Sequence, residues 1–284
     1  MTTTAVHPPI RARRVLPGFT LSLGTVLLYL TVVILVPVLA LILKGAEIGP
    51  QRFWAIVSAP RALAAFQLTL TAAFIATLFN AAYGLLMAWV LVRHDFPGKR
   101  ILDALMDIPF ALPTAVAGLS LTALFSANGW FGQWLAPHGL VPVYTIWGVA
   151  IAMSFTSIPF VVRTVQPVLE DLDPACEHAA RTLGATEGQI FRRVVFPQIL
   201  PSFLAGTTIA FARSLGEFGA IVFIAGNLPF KTEIASLLAY IRLEEYDYQG
   251  ASAIALVLLM MALVLLVVSN RLQAWAARHR EGRA

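Results

Sequence analysis

Arg213 and Glu217 are the only charged side chains between Arg193 and Lys231, and they stand four residues apart. Within one helix that spacing puts both on the same face, close enough to pair. Two chemistries are open to them. Either the pair locks helices together, or Arg213 offers its planar donor fork to an anionic group while Glu217 positions it. Thr114, Thr156 and Ser157 add hydroxyl donors to the second reading, although hydroxyls in apolar helices also bond their own helix carbonyls and neighbouring helices. Pro113 and Pro159 each remove a helix donor and predict kinks, which suit a gate or a fixed bend equally. No catalytic constellation accompanies these residues. His7, His94, His138, His178 and His279 are scattered without ligand spacing, Cys176 is the only cysteine, and no metal site is expected. Gly98-Lys99 is followed by Arg100 and lacks the earlier glycine of a phosphate-binding loop, so ATP chemistry is not expected on this chain.

The elements that must carry these residues are set by composition. Of the 284 residues 58% are hydrophobic and 12% charged, with a mean hydropathy of +0.79. Soluble domains average roughly 25% charged residues, so a water-soluble globular fold is excluded. A formal charge of +5 and a pI near 9.7 would suggest nucleic acid in a soluble protein. Here the placement of the charges matters more. Uncharged runs near residues 21–43, 66–92, 108–125, 143–162, 201–225 and 251–270 are each about the length that crosses the ~30 Å hydrocarbon layer, and they lack strand alternation. An all-α, polytopic transmembrane bundle of about six spans follows, in contact with membrane lipid. The first run is longer than the ~15 residues of a signal core and reads as a retained span.

Six spans with a cytoplasmic N-terminus place fourteen Lys and Arg on the cytoplasmic side and five outside, with Arg213 within the membrane. The positive-inside rule favours that orientation, with both termini cytoplasmic. The organisation expected is a cytoplasmic tail over 1–20, one transmembrane domain over 21–270 and a cytoplasmic tail over 271–284. The loop over 163–198 has its own punctuation. Asp173-Pro174 predicts a helix start, Gly184 a stop, and Thr186 with Gln189 a capping box opening a second short helix that ends before Pro197. A helix, a glycine joint and a helix result. Either this is a solvated hairpin joining two spans, or small Ala179, Ala180 and Gly184, with apolar Leu183, Ile190, Val194 and Phe196, form a docking surface for a cytoplasmic partner. Residues 227–250 read as a short amphipathic helix on the outer membrane surface.

The stretch EHAARTLGATEGQIFRRVVFP, from Glu177 to Pro197, resembles the EAA loop of ABC importer permeases. Ala179, Ala180, Gly184, Val194, Phe196 and Pro197 fall on its positions, while His178 stands at the motif glutamate with Glu177 one residue earlier. RRVLPGFTLSLGT, FNAAYGLLMAWVLVRHDFPGK, LDALMDIPFALPTAVAGLSL, SFTSIPFVVRTVQPVLE, ARSLGEFGAIVFIAGN and KTEIASLL extend the likeness over nearly the whole chain. In that order they resemble the T-type permease subunits of bacterial sulfate/thiosulfate ABC importers; molybdate permeases share the PFALPT-like and LGEFGA segments. The resemblance implies an inner-membrane permease half working with a second permease subunit, two ATP-binding subunits that hold ATP and Mg, and a periplasmic sulfate/thiosulfate-binding protein. No nucleic acid partner and no cofactor on this chain are implied. A permease for molybdate or another tetrahedral oxyanion is the near alternative, and a self-sufficient secondary anion carrier or channel the distant one.

Overall fold

The computed structural model describes residues 18–281, and these are helical apart from connecting loops. The Arg-rich N-terminal stretch and the last three residues lie outside the described residues. Eleven helices organise the described residues: α1 (Phe19–Glu47), α2 (Pro50–Val57), α3 (Pro60–Arg93), α4 (Lys99–Ala111), α5 (Thr114–Phe125), α6 (Ile146–Glu170), α7 (Pro174–Thr182), α8 (Glu187–Leu215), α9 (Gly219–Ala225), α10 (Ala235–Glu244) and α11 (Tyr248–Glu281). Two single turns fill the loop between α5 and α6. Among the described residues five helices are long and apolar enough to cross a membrane, and α4 with α5 make a sixth candidate bent by 115°.

Contacts between helix ends fix the path of the chain. The C-terminal ends of α3 and α6 both lie beside α7, since Arg93 pairs with Glu177 and only residues 171–173 separate α6 from α7. Two helices that run the same way must be joined by a chain that crosses back. The segment between Arg93 and Ile146 therefore traverses the bundle, from Asp103 and Asp107 beside Arg163 to Tyr144, whose N–H donates to Ile224 O. The span read over 108–125, with a kink predicted at Pro113, is sharpened here to a corner of 115°. Leu112 is extended, Pro113 cannot donate to a continuing helix, and α5 alone rises only about 18 Å at ~1.5 Å per residue.

Prolines also account for two π-turns. Residues 31–35 precede Pro37, and residues 191–195 precede Pro197. Each proline lacks the N–H for a regular bond and its ring crowds the carbonyl four residues back. The chain adds a residue to that turn instead of stopping. Hence the second loop helix does not end before Pro197 as expected, but continues through it as α8. Pro159 likewise lies within α6, which runs on to Glu170.

Close helix approach explains the core. Ala72, Ala73, Ala76 and Ala88 of α3 are fully buried, a Cβ on Gly84 would meet Val161 at 2.8 Å, and one on Gly206 would meet α6 at 3.1 Å. Small residues let α3, α6 and α8 pack through dispersion, which is the attraction available where the surrounding solvent is itself apolar. Most of α1 is exposed, with Leu21 and Leu28 facing outward, as expected of a helix against lipid. The surface helix expected in 227–250 is corrected. α10 buries Ala235, Leu237 and Leu238, and the Ala235 N–H donates to Thr69 Oγ1 of α3 at 2.9 Å. The C-terminal segment expected as a tail from 271 continues α11 to Glu281.

Candidate coupling loop and intramembrane charge pair

α7 begins as the sequence dictates. Asp173 accepts the Ala175 N–H at 2.9 Å with Pro174 in the first position. Gly184 follows at φ +82°, a left-handed conformation that side chains resist, and turns the chain toward Thr186. The Thr186–Gln189 capping box then starts α8. His178, Ala179, Gly184 and Cys176 are exposed, and Leu183 is 88% exposed, an apolar side chain left in the open. Ala180, Val194, Phe196 and Pro197 are half-buried and Ile190 fully so, because they pack on Met87, Leu91 and Val165. The apolar surface read from Ile190, Val194 and Phe196 is thus spent within the chain, and the free face centres on α7 and the glycine joint.

Glu177 turns inward. It is 7% exposed and ion-paired to Arg93 at the end of α3, whose guanidinium lies 5.4 Å from the centre of the Trp89 ring. Arg181 approaches Glu177 at 3.9 Å and grips Glu187 with bonds of 2.7 and 3.0 Å. Those bonds to Glu187 raise the Arg181 pKa above its ordinary value.

The second site lies where α8 breaks. The expected single span over 201–225 ends at Leu215; Gly216 closes it and α9 resumes after Phe218. Arg213 is in the last turn of α8 and Glu217 lies just beyond, yet they still meet, with Arg213 Nη1 2.7 Å from Glu217 Oε2. Glu217 Oε1 accepts the Ala220 N–H at 3.0 Å, holding the first turn of α9, and the Glu217 carbonyl accepts from Ser236 at 2.9 Å. The two side chains differ sharply in exposure, at 33% for Arg213 and 1% for Glu217. Thr114 reaches this break from α5, its Oγ1 lying 2.2 Å from where a Cβ on Gly219 would sit. Pro113 immediately precedes it and forms the α4–α5 corner.

Thr156 and Ser157 are buried, and their hydroxyls donate to Met153 O. Ser157 also meets Ser214 at 3.1 Å and accepts from Asn80 at 2.8 Å, so α3, α6 and α8 are stitched beside Arg213. Sequence reasoning passed over Asn80, although an amide inside an uncharged run was its signal. It also passed over two long-range ion pairs: Arg61 with Glu233, bidentate at 2.6 and 2.8 Å, and Arg163 with Asp103 and Asp107 at 2.6 and 2.7 Å. Neither has a local signature. Among the described residues no group of His, Cys, Asp and Glu could hold a metal ion.

Relatives and solved structures agree with this architecture. Sulfate transport system permease protein CysT of Salmonella typhimurium is 55% identical over 273 residues, covering 96% of this chain and 99% of the relative. The protein of that name from Escherichia coli is 54% identical over the same shares, and that from Synechocystis is 47% identical over 253 residues, or 89% and 88%. Among solved structures, a bacterial ABC transporter importing the acidic polysaccharide alginate superposes with a TM-score of 0.73 at 19% identity, covering 90% of this chain and 94% of that one. The MetNI methionine ABC transporter gives 0.58 at 18% identity, with 74% and 93% covered. These structural likenesses speak to the fold. The family described as binding-protein-dependent transport system inner membrane component matches residues 81–281. With that match and with relatives sharing about half their residues from end to end, this chain belongs to the binding-protein-dependent transport system inner membrane component family.

Proposed function

We propose that the chain is one permease half of an ATP-driven importer that moves sulfate and thiosulfate into the cytoplasm by alternating access. The observation carrying this reading is the 55% identity over 96% of the chain to a protein named for sulfate transport. A second permease subunit completes the pore, two ATPase subunits bind ATP and Mg, and a periplasmic binding protein delivers the anion; a solved structural neighbour is itself a complex with a periplasmic protein. The termini face the cytoplasm in this reading.

The ATPase docks on the exposed face of α7 and its glycine joint, formed by His178, Ala179, Leu183 and Gly184. Motion of that face passes directly along α8, one helix from Glu187 to Leu215, to Arg213. Arg213 lines the path. Glu217 is fully buried and anchored by the Ala220 N–H, whereas Arg213 keeps a third of its side chain exposed and retains donors beyond its contact with Glu217. A doubly charged oxyanion leaving water needs such donors, and a resident carboxylate weakens the site enough that the anion is released. Thr114 at the neighbouring helix start adds a hydroxyl.

The test is uptake into liposomes carrying the complete transporter. ATP-dependent entry of sulfate and thiosulfate is expected. Uptake of molybdate alone, or uptake by this chain without ATPases, would overturn the proposal.

A further inference from the structure

We propose that Arg93, Glu177, Arg181 and Glu187 form a strut that clamps the Gly184 joint and transmits movement of the docking face to α3 as well as α8. The proposal rests on the reading of α7 as the ATPase-docking element. The ion-pair series starts at the C-terminal end of α3, passes through Glu177 and Arg181 on one face of α7, and reaches Glu187 in the first turn of α8. Residues 177 and 181 are one turn apart, so a single face of α7 carries both inner contacts while His178 and Ala179 point outward.

The burial of Glu177 is the informative part. A solvated hairpin has no need to withdraw a carboxylate from water, because desolvation opposes the Coulomb gain. Here the Glu177 side chain is 10% exposed and its partner Arg93 is 23% exposed. Arg93 lies over Trp89, and Trp89 meets Phe191 edge-on with ring centres 5.1 Å apart. The pair is therefore seated on a platform shared by α3 and α8. Gly184, at φ +82° with open space around its Cα, is the joint, where the Gly184 N–H donates to Arg181 O at 2.9 Å and the Ala185 N–H to Ala180 O at 3.1 Å. Without the strut, a push on α7 would be taken up by rotation at Gly184. With it, α7 and the adjoining ends of α3 and α8 move together. Glu177 and Arg93 are positioning residues in this scheme, and neither touches the anion.

The complete transporter, with both permease subunits, the ATPases and the binding protein, is reconstituted with sulfate, and sulfate imported per ATP hydrolysed is measured. A thiol crosslinker on the native Cys176, exposed on α7, reports ATPase contact in the same samples. Glu177→Gln is expected to keep the crosslink while sulfate per ATP falls about fivefold or more, the lower end of ordinary coupling energies. Reversing the pair, Arg93→Glu with Glu177→Arg, is expected to recover most of the lost ratio. An unchanged ratio in Glu177→Gln overturns the strut. So does a reversed pair that crosslinks normally but remains as uncoupled as the single variant. If Glu177→Gln fails to assemble, the reversed pair decides: assembly with a recovered ratio supports the strut, and assembly with a low ratio, or no assembly, overturns it. Absence of the crosslink in the unmodified transporter refutes the docking reading itself, and is seen before any variant is made.

Discussion

Arg213 carries the sharpest residue-level test because its partner is anchored and it is not. Glu217 holds the first turn of α9 through the Ala220 N–H and is 1% exposed, so its charge depends on Arg213 for compensation. Arg213→Ala leaves a buried carboxylate uncompensated, which costs about 3–5 kcal/mol in comparable pairs. Low protein levels are expected, and an immunoblot of membranes checks this. Arg213→Gln combined with Glu217→Gln removes both charges and keeps hydrogen-bonding capacity. That double variant is expected to reach normal levels and hydrolyse ATP, with sulfate uptake reduced about tenfold or more, the loss of one transition-state interaction worth ~1.4 kcal/mol. Recovery of uptake along with protein level would reduce the pair to a structural clasp. The spacing of these residues was legible in the sequence, and so was their isolation in an apolar run. The difference in their exposure was not, because it depends on α9 and on Ser236 from a later helix.

At the scale of elements, local signals were readable and distant ones were not. Asp173, Gly184, Thr186 and Gln189 act on backbone groups within a few residues, and the helix, joint and helix stand as their chemistry dictates. Gly184→Pro follows from that joint. Proline is fixed near φ −65° and cannot adopt +82°, so coupling of ATP hydrolysis to uptake should be lost while the protein still inserts, as paired ATPase, uptake and membrane-fractionation assays would show. The break at Gly216 was less legible than the kink at Pro113, because it depends on the crossing of α5 with α9. A Cβ on Gly118 would lie 2.3 Å from the Ala220 carbonyl oxygen, and backbone cannot give way as a flexible side chain can. Gly118→Ala is therefore expected to lower stability by about 1–3 kcal/mol, the usual range for overpacking. Gly24→Ala has nothing within 4 Å of the new methyl and serves as the neutral control. Equal thermal unfolding of the two variants in detergent would contradict the crossing. α10 was misread as a surface helix for a similar reason: its N-terminal N–H finds Thr69, 166 residues away, and Glu233 beside it finds Arg61 across 172 residues.

For the whole molecule the question is how many times the chain crosses, and length and hydropathy alone leave it between five and six. Helix-end contacts resolve it. α3 and α6 finish beside the same loop, at Glu177 and residues 171–173, whereas α6 starts near Tyr144 and Ile224 at the far end. The bent α4–α5 pair must then traverse the bundle even though α5 is only 12 residues long. If that segment re-entered on the loop side instead, α3 and α6 would run in opposite directions and Arg163 could not reach Asp103 and Asp107 from the end of its helix. The proposed orientation, with that side in the cytoplasm, follows the charge bias expected from the sequence, fourteen basic residues against five. Cys176 and Asn128 are both exposed and lie at opposite ends of the bundle, which makes them a direct pair of reporters. In intact cells, a membrane-impermeant maleimide is expected to leave the native Cys176 unmodified and to label Asn128→Cys in a Cys176→Ser background; in inverted vesicles the pattern reverses. Labelling of both positions from one side would mean that α6, the one long helix between them, does not cross the membrane, and would overturn the path assigned to the chain.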